Sequence, residues 1–168
     1  MNKRSLIGGI ILGFVVAVFI IPLMFKIAAE DMLFKQVKSP YDFEKTVQVL
    51  VNRINKQPGW HVVTVINQEE EIKKYGGPDV GPVKIIKFCN AKYAGEMLKD
   101  DRTKFMAVKM PLSIAIYEDS MGKVYISLMN GYLLTRMLSL TPESKIMEKV
   151  VRDIQNILSF VHFRYSIF

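Results

Sequence analysis

Three kinds of side chain in this sequence have the chemistry to act: one thiol, two imidazoles and a set of thioethers. Cys89 is the only cysteine, and His61 and His162 are the only histidines. Nucleophilic catalysis needs a thiol or hydroxyl beside a base. Cys89 and His61 form the natural pair, because each falls at one end of a predicted strand. The opposing reading is a cysteine behaving as a small hydrophobe and a histidine facing solvent. No third group that would orient the imidazole is visible. A thiol-dependent enzyme at Cys89 is therefore the third of three functional readings.

The chain has ten methionines. Met106 and Met110 are four residues apart and on a helix would present two thioethers to one side, an arrangement suited to copper(I) or to one side of a haem. His61, Cys89, Met106 and Met110 thus form the candidate ligand-binding set. A haem- or copper-binding redox module is the second reading, with its metal undefined. No His or Cys pair has the spacing of a structural zinc site. The opposing reading is that the methionines fill gaps in a core or an interface. Gly76-Gly77-Pro78-Asp79-Val80-Gly81 lacks the lysine of a phosphate loop and reads as a turn. Glu69, Glu70 and Glu71 read as a solvated helix face and not as an acid–base pair.

The formal charge is +7. It is spread along the chain, with no dense basic block of the kind that marks a nucleic-acid patch, so nucleic acid is excluded as a partner. A basic excess suits an anionic lipid surface or an acidic partner. A single cysteine also excludes an intrachain disulfide.

The elements that must position these residues follow from periodicity. Residues 110–130 carry the clearest signal. Leu112, Ile114 and Ile116 alternate with Ser113, Ala115 and Tyr117; a break at Glu118-Asp119-Ser120-Met121-Gly122 follows; then Val124, Ile126 and Leu128 alternate with Lys123, Tyr125 and Ser127. This is a β-hairpin, with Pro111 at its entry, where a missing N–H costs least. Upstream, Ser39 as N-cap with Pro40 and Asp42 opens a helix whose apolar face is Phe43, Val47, Leu50, Val51 and Ile54. It ends at Gln57-Pro58-Gly59. Residues 60–66 and 83–89 read as strands. Asn67 caps a short acidic helix over 68–75, and Asn90 caps another to about residue 100. Residues 102–109 are ambiguous. Asn130 is expected to cap an apolar helix over 131–140. A last helix opens at Thr141-Pro142-Glu143, with Ile146, Val150, Ile154, Ile157 and Leu158 along one face. The aromatic tail, with Phe160, Phe163, Tyr165 and Phe168, continues that helix, forms a strand, or touches a membrane surface or a second subunit. The expected class is α+β: a mainly antiparallel four-stranded sheet with helices packed on one face.

Residues 6–25 contain no charged side chain over about 20 residues, the length that spans a bilayer core as a helix. Leu6, Phe14, Phe19 and Phe25 mark this membrane anchor. A cleaved signal peptide would have a shorter apolar run ending in a small-residue site, and Ile27-Ala28-Ala29 is a poor one. Gly9 and Gly13 stand at the spacing of a helix-dimer face. The expected organisation is an anchor over 1–28, a connector over 29–39 and an α+β domain over 40–168. Charge on the two sides of the span is nearly balanced. A short basic N-tail resists crossing while large domains translocate largely regardless of charge, so the domain is expected to face the periplasm or the cell exterior, on a single-pass protein of the cell membrane.

The run Phe88-Cys89-Asn90-Ala91-Lys92-Tyr93-Ala94, then Met110 to Asp119, then Gly122-Lys123-Val124-Tyr125-Ile126, resembles the domain of unknown function (DUF) family 302. The resemblance covers roughly residues 41–157. In that family a cysteine-asparagine-proline step follows the second strand and a leucine-proline-cysteine-arginine step opens the hairpin. Here Cys89-Asn90 match but Ala91 replaces the proline. Pro111 matches, but Leu112 and Ser113 stand where cysteine and arginine are usual. Ile116-Tyr117-Glu118 keeps the hairpin pattern. The resemblance implies a compact α+β fold, commonly dimeric, with no established activity, and chemistry needing the second cysteine or the arginine would be absent here. The first reading is therefore a membrane-anchored, non-enzymatic domain that binds a partner protein or small ligand at its sheet face or a homodimer interface.

Overall fold

The computed structural model describes residues 9, 12–21, 23, 33–132, 135 and 144–161. The chain divides into two units, residues 1–33 with Phe168, and residues 34–167. In the first unit the described residues are helical, with a π-helical turn at Val16–Ile20. Their apolar side chains are exposed, including Leu12, Phe14, Phe19, Ile21 and Leu23. Among the described residues, no helix is long and apolar enough to cross a membrane. Leu6 and Phe25 lie outside the described residues.

The second unit is built on one antiparallel sheet. Its strands are β1 (Phe34–Lys38), β2 (Trp60–Asn67), β3 (Val83–Asn90), β4 (Leu112–Glu118) and β5 (Val124–Met129). They lie in the order β1-β5-β4-β3-β2. The helices are α1 (Phe43–Lys56), α2 (Gln68–Lys74), α3 (Ala91–Leu98) and α4 (Ser144–Ile157), with 3-10 turns at Lys104–Lys109 and Ser159–Val161. The four strands expected from the sequence are present, and the sheet has a fifth, β1, drawn from the stretch read as a connector. Its sequence, FKQVK, carries one β-branched residue and no apolar alternation. It becomes a strand because β5 offers a free edge, and it pairs there from Phe34↔Met129 to Lys38↔Tyr125.

Local chemistry sets the element boundaries. The Asp42 carboxylate accepts from the Lys45 N–H at 2.8 Å and caps α1. Ser39, expected to be that cap, instead lies buried, its hydroxyl 2.6 Å from that of Thr46. The helix starts three residues later because Asp42 already has the extended backbone that a cap needs. At the hairpin, Asp119 Oδ1 accepts from the N–H groups of Met121 and Lys123, and Gly122 takes φ +71°. Asn67 and Asn90 cap α2 and α3 as the sequence predicts. The Asn90-side connection is tight: Gly59 has φ +79°, and a Cβ there would lie 2.9 Å from Asn90 Nδ2. Of the apolar helix expected over 131–140, Asn130 Oδ1 does accept from the Tyr132 N–H at 3.2 Å, while residues 133–134 and 136–140 lie outside the described residues, as do 141–143 and the tail from His162.

One face of the sheet is closed. Ile86, Phe88, Ile114, Ile116, Ile126 and Leu128 meet Val47, Leu50 and Ile54 of α1 and Val150, Ile154 and Ile157 of α4 in a single core. Ile86, Ile114, Ile116, Ile126, Leu50 and Ile54 are all fully buried, and burial of such a side chain contributes about 1.5–3 kcal/mol. Arg53 of α1 caps the far end of α4, donating to the carbonyls of Ile157 (2.5 Å) and Asn156 (2.6 Å) and to Ser159 Oγ (2.6 Å). A cation there satisfies orphan carbonyls and the negative end of the helix dipole together.

Truncating the centre of this layer tests it. Ile116→Ala is expected to lower stability by about 2–5 kcal/mol, read as a shift in the urea midpoint. Thr64→Ala, on the other face, is expected to shift it by less than about 0.5 kcal/mol.

Candidate functional site

The antiparallel register sets His61 directly opposite Cys89. The pair inferred from residue types is thus brought together on the two strands. The buried residues of β3 are Ile86, Phe88 and Asn90, so alternation turns Cys89 to the opposite, open face with His61 and Lys87. Burial pushes the Cys89 thiol above its ordinary pKa, with a smaller opposing contribution from the Asn90 N–H. That is the wrong direction for a nucleophile, which needs thiolate. Among the described residues no hydrogen bond joins the two side chains, and none orients the imidazole.

Met106 and Met110 do not share a helical face. Met106 sits in the 3-10 turn, and Met110 is extended at φ −118°, ψ 139°, just before a cis Met110–Pro111 bond. Met110 instead points to a different group. It helps line an apolar pocket of about 50 Å³ between α3 and α4 at the end of the sheet, with Trp60, Tyr93, Met97, Met147 and Val150. Sequence periodicity placed Met97 and Val150 on apolar helix faces, but nothing in it showed that α3 and α4 close over the same spot.

One carboxylate organises the wall of that pocket. Asp153 of α4 accepts from Trp60 Nε1 at 2.9 Å and from Gln57 Nε2 at 3.1 Å. Burial, and after it the nearby Asp153 carboxylate, hold the Tyr93 phenol above its ordinary pKa. Trp60 packs on Phe88 at 5.4 Å and edge-on to Tyr93 at 6.2 Å between ring centres. Two donors, one from β2 and one from the C-cap of α1, therefore converge on one acid of α4. Among the described residues no three His, Cys, Asp or Glu side chains are grouped to hold a metal ion. A wider cleft of about 660 Å³ at the hairpin end mixes Lys38 and Lys123 with Asp42 and Glu118 beside Phe160; its charges of both signs select no single ligand class.

The opposite face of the sheet is open among the described residues. The registers place on it Phe34, Gln36 and Lys38 of β1, Tyr125, Ser127 and Met129 of β5, Ser113, Ala115 and Tyr117 of β4, and Ile85, Lys87 and Cys89 of β3. Tyr117 and Tyr125 stack at 5.4 Å, and the Tyr117 hydroxyl donates to Gln36 at 2.9 Å. Lys87 donates to Ser113 at 2.7 Å. Among the described residues no helix contributes a buried side chain to this face, and no carboxylate stands in these rows.

A family model described as domain of unknown function DUF302 matches residues 35–161. Among solved structures, the chain is similar to an uncharacterized conserved DUF302 protein from Bacillus stearothermophilus, at 18% identity and TM-score 0.66, over 77% of this chain and 98% of that one. At that identity the likeness shows the fold. Among curated proteins none matches.

The raised thiol gives a pH prediction. Because its pKa is raised, less thiolate is present at neutral pH than on a free cysteine. Alkylation of Cys89 by iodoacetamide at pH 7 is expected to be slower than that of free cysteine, to accelerate only at alkaline pH, and to be unchanged in His61→Ala. A rate above that of free cysteine at pH 7, lost in His61→Ala, would show an activated pair instead.

Proposed function

The chain belongs to the DUF302 family, and from that membership we propose that it is a membrane-anchored, non-enzymatic binding module whose open sheet face docks a protein partner outside the cytoplasm. The observation that carries this reading is the one-sidedness of the sheet. A stacked tyrosine pair with Phe34, Ile85 and Met129 around small Ala115 and Ser127 makes an apolar centre, and Lys87 stands beside it in rows that carry no carboxylate. Such a face has the anatomy of an interface: aromatic and methionine residues at the centre and charge of one sign available to steer an acidic partner. The sheet edges are poor alternatives. β2 carries a bulge between Val62 and Thr64, and β1 is short, lysine-bearing and followed by Pro40; these features oppose edge-to-edge pairing. A second copy of the chain would use the same face.

The anchor rests on residues 6–25. Their length and lack of charge fit a bilayer span, and the exposed apolar side chains of the described helical residues fit lipid contact. The two candidate pairs lend this reading no chemistry: burial raises the Cys89 thiol beside His61 above its ordinary pKa, and the thioether ligands Met106 and Met110 are split between a 3-10 turn and an extended residue.

A photo-crosslinking amino acid placed at Tyr125 in the full chain, in its membrane, tests the docking face. A discrete adduct is expected from position 125 and none from Tyr75, which is 78% exposed beyond α2. An adduct of twice the chain mass identifies a second copy, and any other discrete mass a different protein. The absence of a discrete adduct at Tyr125 and at Ile85 would overturn the reading.

A further inference from the structure

We propose that the pocket between α3 and α4 is a binding site for a soft monovalent cation, copper(I), held by the thioethers of Met97, Met110 and Met147. Three methionines from three separate segments line one small apolar pocket: Met97 from α3, Met110 from the approach to β4, and Met147 from α4. Met97 and Met147 are only 2% and 8% exposed. Gap-filling explains a methionine singly. It does not by itself explain why three of them, from three separate segments, converge on one pocket.

The donor chemistry selects the ion. No carboxylate or imidazole lines the pocket; beside the three thioethers stand the Cys89 thiol and the Asn90 amide, a mainly soft donor set without the carboxylates that hold magnesium and calcium. Neutral thioethers favour soft copper(I). The walls supply the rest. The rings of Trp60 and Tyr93 line the same space, and an aromatic face stabilises a cation. The Asp153 carboxylate accepts from Trp60 Nε1 at 2.9 Å and does not itself line the pocket, so it stands near a bound cation without ligating it. Cys89, at the end of β3, also borders this pocket, but the three thioethers and the docking residues Tyr117 and Tyr125 are different side chains, so failure of either reading leaves the other standing.

Trp60 is the only tryptophan in the chain, so its emission reports the pocket directly. The full chain in detergent would be titrated with silver(I), a redox-silent probe of the same softness, and with copper(I) in ascorbate against a bicinchoninate competitor. One equivalent of either ion is expected to quench Trp60 saturably. Met97→Leu and Met147→Leu conserve volume and are each expected to weaken binding at least about tenfold, since even outer-shell partners of a metal contribute that much. Met121→Leu, on the exposed hairpin turn, is expected to leave binding unchanged. Met110→Leu, at a half-buried position, provides the same test should either helix variant melt below the parent. No saturable quenching in the parent chain would overturn the proposal, as would affinity unchanged in Met97→Leu, Met110→Leu and Met147→Leu.

Discussion

The structure depends on one constraint: among the described residues, the helices cover only one side of its sheet. Strand alternation sends Ile86, Ile114, Ile116 and Ile126 to the same face, and α1 and α4 bury that face completely. Each of these side chains leaves water only because a helix stripe of matching period lies over it. The same alternation leaves Ile85, Ala115, Tyr117, Tyr125 and Ser127 on the other side, half-buried by one another and by no helix of the described residues. The closed and open faces are therefore one fact seen from two sides, and a one-residue slip in register would exchange them.

Polar contacts then fix how the covering helices sit. Asp153 draws donors from β2 and from the C-cap of α1 to α4, while Arg53 of α1 holds the other end of α4 through two carbonyls. These directional bonds select one arrangement among the many that apolar burial alone would allow. Methionines of α3 and α4 border the space that remains beside Leu112.

Much of the domain is legible in the sequence because its periodic signals are strong. The hairpin, the paired strands β2 and β3, the asparagine caps of α2 and α3 and the apolar stripes of α1 and α4 all follow from residue order. What could not be read is what partners supply. β1 is a strand through its register with β5 and not through its own composition. Ser39 looks like a cap by type, yet Asp42 has the backbone geometry and does the capping. Met106 and Met110 are four apart, but a 3-10 turn running into an extended residue undoes the helical pairing. His61 and Cys89 do meet, through a register that sequence alone does not give. The meeting of Met97 with Met147 is wholly tertiary, since it depends on where α3 and α4 cross.

The chain is a DUF302 domain whose described helices cover one face of its sheet, and both proposals build on that asymmetry. The most direct measurement is hydroxyl-radical footprinting of the purified full chain, read residue by residue. The account predicts fast oxidation at Phe34, Tyr117, Tyr125 and Met129 and strong protection at Phe88, Trp60 and Met97. Equal protection of Tyr117, Tyr125 and Phe88 in a chain shown by light scattering to be monomeric would mean that both faces are covered within one molecule, and would contradict it.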